Sequence, residues 1–128
     1  MTKIHANNLE ELQKIAEDFA KNLNPGDVVC MTGDLGAGKT TFTQFVAKKL
    51  GITEPVQSPT FNILLQHKSP EGLILNHFDL YRLENADELD DIAFYETIED
   101  SNSISFIEWA EKFKDEMPES ATWLIFTR

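Results

Sequence analysis

The sequence predicts one α/β domain, three layers deep around a mixed sheet, on three observations. An apolar stretch runs straight into a glycine-rich turn and then a helical pattern; two more apolar stretches each end in an acid; and two strand-like runs are joined by a hairpin loop. The 128 residues are enough for one domain with a real core and no second module. Domain 1–128 shows no repeat, low-complexity run or linker.

The first stretch organises the rest. Val28-Val29-Cys30-Met31-Thr32 reads as a short buried strand, and Gly33-Asp34-Leu35-Gly36-Ala37-Gly38-Lys39-Thr40-Thr41 follows it. Gly33-x-x-x-x-Gly38-Lys39-Thr40 satisfies the phosphate-binding P-loop pattern without a mismatch. Glycines at 33, 36 and 38 let the backbone turn tightly and aim N–H groups at phosphate oxygens. Lys39 suits the β- and γ-phosphates, and the Thr40 hydroxyl is a hard oxygen ligand for magnesium. A helix starting at about Gly38 would set its positive end on the phosphates. The candidate nucleotide-binding residues are therefore Gly33, Asp34, Gly36, Ala37, Gly38, Lys39, Thr40 and Thr41, and the fold class narrows to a P-loop NTPase-like three-layer domain.

Upstream, Asn8-x-x-Glu11 is a helix start in which Asn8 caps and Glu11 reaches back. Leu9, Leu12, Ala16, Phe19, Ala20 and Leu23 form one apolar stripe, ended by Asn24-Pro25-Gly26. The helix is packing, with its beginning also able to flank a bound base. Downstream, Phe42, Phe45, Val46 and Leu50 share a helical face and Gly51 stops the helix. Ser58-Pro59-Thr60 is extended, since proline disfavours helical geometry before it. Thr60 is either a switch hydroxyl or a strand entry.

Two strands follow, at 61–67 and 73–78, with 68–72 as the hairpin loop. The second delivers Asp79 at its carboxyl end, where open α/β sheets place ligand-binding groups. Asp79 either serves magnesium, as the acidic partner of a P-loop does, or caps the turn into Leu80-Tyr81-Arg82. His77, inside this strand, reads as a hydrogen-bonded structural residue. A further strand, Ser103-Ile104-Ser105-Phe106-Ile107, ends in Glu108-Trp109, again with an acid where metal binding or water activation needs one. Trp109 is core or flanks the site. Residues 86–89 and 92–98 read as short helices, and Trp123-Leu124-Ile125-Phe126 as a last strand.

The net charge of −11 is concentrated: residues 84–119 hold thirteen acids and two lysines, and the remainder is neutral. Such a block repels a phosphate backbone, which argues against direct tRNA or other nucleic-acid binding; it is a solvated face or a docking surface for a basic partner. No apolar run is long enough to cross a bilayer, and Met1-Thr2-Lys3-Ile4-His5 lacks a signal-peptide core. The single cysteine, Cys30, reads as a buried inert thiol. A cytoplasmic location is expected. The histidines show no metal-ligand spacing with each other or with Cys30.

Taken together, the P-loop, Ser58-Pro59-Thr60, His77-Phe78-Asp79-Leu80-Tyr81-Arg82 and Ile107-Glu108-Trp109 resemble the bacterial TsaE (YjeE) family, in that family's order and with similar spacing over most of residues 8–128. That family is the ATPase component of the machinery making threonylcarbamoyladenosine at adenosine 37 of tRNAs that read ANN codons. The resemblance implies that Lys39, Thr40 and the P-loop backbone bind ATP, that Thr40, Asp79 and Glu108 form the Mg2+ and hydrolysis site, and that Lys39, Asp79 and Glu108 are the catalytic set. Thr60 joins the nucleotide-binding set. It further implies partnership with the TsaB and TsaD proteins, TsaD carrying the transfer to adenosine. Two departures stand out: family members generally run past Arg128, and Ile92-Ala93-Phe94-Tyr95 lacks the glycine common there.

The rival readings are weaker. A small-molecule kinase neutralises phosphates on two substrates, usually with several arginines, and here there are two, Arg82 and Arg128. A GTPase would need an Asn-Lys-x-Asp stretch. A nucleotide-gated partner-binding switch with little hydrolysis overlaps the favoured reading.

Overall fold

The structure is a computed structural model that describes residues 2–33, 38–56, 59 and 62–127. Its elements are β1 (Thr2–His5), α1 (Leu9–Ala20), β2 (Val28–Gly33), α2 (Lys39–Lys49), β3 (Leu64–Lys68), β4 (Ile74–Asp79), α3 (Asp87–Asp91), α4 (Phe94–Ile98), β5 (Ser103–Glu108), a 3-10 segment (Ala110–Glu116) and β6 (Thr122–Thr127). The six strands make one mixed sheet in the order β1-β6-β2-β5-β4-β3. Every pairing is parallel except the β3–β4 hairpin. The expected α/β fold, with parallel strands beside an antiparallel hairpin, is what the chain adopts.

Alternation along the strands divides the core in two. Val29, Met31, Leu75, Ile104, Phe106, Leu124 and Phe126 face α1 and α2, meeting Leu12, Ala16, Phe42 and Val46. Val28, Cys30, Phe78 and Ile107 face the opposite layer, meeting Leu89, Phe94, Ile98, Phe113 and Met117. On the first face Phe19, Phe42, Phe106 and Phe126 form an aromatic cluster with centroid separations from 5.2 to 6.5 Å. Fully burying one such ring contributes about 2 to 3 kcal/mol. Burial pushes the Cys30 thiol up to about 12, so it stays protonated and unreactive.

Several local expectations shift. The Asn8 side chain accepts from Glu11 N at 2.9 Å as a cap should, but the Glu11 carboxylate accepts from Asn7 N at 2.8 Å instead of reaching back to Asn8. Those hydrogen bonds hold the Glu11 carboxyl below the usual carboxylate range. Leu9, assigned to the apolar stripe, is 65% exposed because it opens the helix ahead of the turn that meets the sheet. The first hairpin strand begins at Leu64 and runs through Lys68. Before it, Ile63 takes a left-handed φ of 65°, which interrupts an extended chain. β1 and the 3-10 segment went unread: β1 is four residues of mixed character with only Ile4 buried, and the 3-10 segment is kinked at Phe113.

The acidic stretch supplies β5 and, against the second face of the sheet, α3, α4 and the 3-10 segment. Ala93, within the segment 92–95 that holds no glycine, adopts φ 53°, ψ 40° as the cap of α4. Tyr95 donates from its hydroxyl to Glu116 at 2.6 Å, tying α4 to the 3-10 segment, and that carboxylate pushes the phenol up to about 12. No helix among the described residues is long and apolar enough to cross a membrane.

Candidate nucleotide site

Three elements meet at the carboxyl ends of the central strands. β2 ends in Gly33, at φ 122° and beside β6, where an added Cβ would lie 2.1 Å from the Phe126 carbonyl oxygen. Only glycine fits there, so the residue that begins the P-loop pattern is also fixed by strand packing. α2 begins at Lys39, one residue beyond the expected start, with Gly38 as its left-handed cap. No side chain caps it and its first turn contains no acid, so its leading N–H groups keep the character of an anion site. Asp34, Gly36 and Ala37 lie outside the described residues, as do Ser58, Thr60 and Arg128.

Asp79 and Glu108 are direct neighbours, being the last register pair of β4 and β5. Phe106 lies on the α1–α2 face, and residues two apart share a face, so Glu108 points the same way, toward the start of α2. There the Thr40 hydroxyl donates to Glu108 Oε2 at 2.8 Å. The same oxygen is met at 2.6 Å by His77 Nε2, from β4. The Asp79 carboxylate accepts from Tyr81 N at 3.0 Å. Both acids are 5% exposed. The acids of α3 and α4 lie across the sheet from this point.

Lys39 is also buried to 5% exposure; its ammonium donates to the Gly33 carbonyl at 3.3 Å and stands 4.7 Å from the centre of the Trp109 ring. Trp109 sits at φ 61°, turning the chain immediately after Glu108. Its ring lies 4.9 Å from that of Tyr81, which is 55% exposed and whose carbonyl accepts from Lys112 Nζ at 2.6 Å. Trp109 thus flanks the site while packing its inner edge on the second core. Nearby, the Thr32 hydroxyl donates to the Glu111 carboxylate.

The fold therefore brings together Gly33, Gly38, Lys39, Thr40, Asp79 and Glu108, and places Thr41 in the first turn of α2. These donors fit a magnesium ion shared with phosphates: one hydroxyl and two carboxylates are hard oxygen ligands. No group of three or more His, Cys, Asp or Glu side chains converges as a metal cage among the described residues. Magnesium on a nucleotide does not need one, taking one or two protein carboxylates and filling its shell with phosphate oxygens and water. His77, expected to be a hydrogen-bonded structural residue, is hydrogen-bonded, and its partner is Glu108; it stands two before Asp79 on a strand, and so on the same face.

The family described as "Threonylcarbamoyl adenosine biosynthesis protein TsaE" matches residues 6–128. A protein of Bacillus subtilis named tRNA threonylcarbamoyladenosine biosynthesis protein TsaE is 39% identical over 122 residues, spanning 94% of this chain and 74% of the relative. One of the same name from a Nostoc species is 42% identical over 115 residues, spanning 88% and 70%. Among solved structures, that of Bacillus subtilis YdiB aligns at a TM-score of 0.73 and 36% identity, covering 94% of this chain and 72% of the other.

Proposed function

The chain belongs to the TsaE family of threonylcarbamoyladenosine biosynthesis proteins, and from that membership and the site we propose that it binds and hydrolyses Mg-ATP in support of threonylcarbamoyl modification of ANN-reading tRNAs. The observation that carries the nucleotide reading is the contact of Thr40 with Glu108, at the uncapped start of α2, with Asp79 in register beside it. A strand, a P-loop pattern, a helix start and two strand-end acids at one point match the needs of a nucleoside triphosphate. Magnesium, when bound, supplies positive charge to the phosphate oxygens.

The chain's own groups do the rest. The leading N–H groups of α2 and the Lys39 ammonium bind phosphate oxygens, the ammonium leaving the Gly33 carbonyl to do so. Thr40, Asp79 and Glu108 offer the hard oxygens. Burial of both acids keeps water scarce around them, which strengthens each electrostatic contact. Turnover by the chain alone is low and rises on docking with TsaB and TsaD. A transition-state arginine is worth roughly a thousandfold or more, and this chain holds only Arg82 and Arg128. The acidic layer of α3 and α4 is the face offered to a basic partner, so association weakens as salt rises.

The test is titration calorimetry of Mg-ATP against the chain and against Lys39→Ala. Affinity should fall at least about tenfold in the variant, which loses a charge-assisted contact worth about 1.5 to 3 kcal/mol, while circular dichroism stays unchanged. Equal affinity would remove the nucleotide assignment. Phosphate release, measured with and without TsaB and TsaD at two ionic strengths, reads a partner-dependent ATPase, whereas a kinase would form ADP and a phosphorylated small acceptor without releasing phosphate and with no protein partner.

A further inference from the structure

Glu108 Oε2 receives two donors while no donor among the described residues meets Oε1. The torsion that orients a glutamate carboxylate is soft and nearly two-fold, so a carboxylate reached by one hydroxyl alone swings between its two oxygens. Two donors on the same oxygen remove that freedom. One is Thr40, which the nucleotide site also claims. The other is His77, fully buried within β4, between β5 and the edge strand β3.

His77 is an odd choice for a merely structural residue. Its Nδ1 is buried with no hydrogen-bond partner among the described residues, so packing alone would favour an apolar side chain. Asn76, next to it and facing the other way, has both ends of its amide met: its nitrogen donates to Ser105 Oγ at 3.1 Å and its oxygen accepts from Gln66 at 2.8 Å. The polar contact made by the His77 ring is the one to Glu108.

We propose that His77 is the positioning residue of Glu108: its Nε2–H fixes Oε2 together with Thr40 and so presents Oε1 to the nucleotide site. A carboxylate only accepts, which places an imidazole hydrogen on Nε2, and the buried Nδ1 meets no acceptor among the described residues that would hold a second one. A bare nitrogen is the less costly form in a pocket with no acceptor. The inference rests on the reading of Glu108 as a nucleotide-site carboxylate, and its test keeps the two apart.

Two variants are compared with wild type on the full chain. His77→Leu removes the donor; His77→Gln restores an N–H at nearly the same reach. Loss of a residue that orients a site carboxylate typically costs 10- to 100-fold. The expectation is therefore a kcat for ATP lowered at least about tenfold in His77→Leu, KM within about twofold, unchanged thermal stability, and substantial recovery in His77→Gln. Independently of activity, nitrogen-15 NMR should show His77 with hydrogen on Nε2 and a bare Nδ1, a signature that changes in Glu108→Ala. Wild-type kcat in His77→Leu would overturn the proposal. So would equal losses in both variants in step with the folded fraction, or a His77 spectrum indifferent to Glu108→Ala. If wild type neither binds nor hydrolyses ATP, the functional reading falls, and the NMR comparison alone decides whether His77 holds Glu108.

Discussion

Asp79 and Glu108 end neighbouring strands in register, equally buried, yet they are held in different ways. Glu108 is gripped through side chains from two other elements, Thr40 at the start of α2 and His77 in β4. Asp79 is bound into its own turn, accepting the N–H of Tyr81 two residues on, while its backbone N–H donates to the Ile63 carbonyl at 2.8 Å. One acid is thus coupled to the P-loop helix and the other to the hairpin side of the sheet. Two carboxylates at the same depth are thus held differently, and Glu108 is the one hydrogen-bonded to the first turn of the helix that follows the P-loop pattern.

The most severe way to break that contrast is Glu108→Gln. The amide keeps the shape and an acceptor for Thr40 but loses the charge and presents an N–H where an oxygen stood. Removal of a positioned acid-base or metal-serving carboxylate costs about a hundredfold or more in kcat, and we expect that loss at near-native thermal stability. Asp79→Asn is the milder partner. The amide oxygen can still accept from Tyr81 N, so the turn survives, and the loss of charge at this acid should cost about tenfold. Phosphate release from both variants, with partners present, orders the two. A larger loss in Asp79→Asn would reverse the assignment of roles.

Much of this site could be read in the sequence because its motifs are local. A P-loop is a consecutive pattern, and an acid at the end of an apolar strand announces itself by position alone. What pairs those acids is not local: the register that sets Asp79 against Glu108 joins segments 29 residues apart by number, and the sequence contains no ruler for it. The hydrogen-bond partner of His77 is equally non-local, because it lies on the neighbouring strand. β1 was missed because a strand of four residues between β6 and solvent buries one side chain and carries no alternation long enough to notice. The left-handed turns at Ile63 and Trp109 were invisible for another reason. Both are large side chains that local preference keeps out of that region, and tertiary packing overrides the preference.

Those turns sharpen the comparison of the two acids, because each carboxylate has one beside it. The Ile63 carbonyl holds the Asp79 backbone, and Trp109 turns the chain directly after Glu108 with its ring over Lys39. Ala93 carries the same kind of backbone, at φ 53°, but lies at the cap of α4 on the far face of the sheet. Strain beside the acids aims groups at the site; strain at Ala93 aims nothing there. Ala93→Gly should therefore stabilise the fold without touching turnover. Relief of a left-handed alanine yields about 1 to 2 kcal/mol, and the greater freedom of glycine in the unfolded chain takes back about 0.5 to 1. The net is about 0.5 to 1 kcal/mol, or a rise of a few degrees in Tm for a domain of this size. Thermal unfolding by circular dichroism reads the shift, and phosphate release under the same conditions reads the indifference of the site. A lowered Tm would mean that the Ala93 methyl packs more than its backbone costs, and a changed kcat would mean that the acidic face is coupled to the two acids across the sheet.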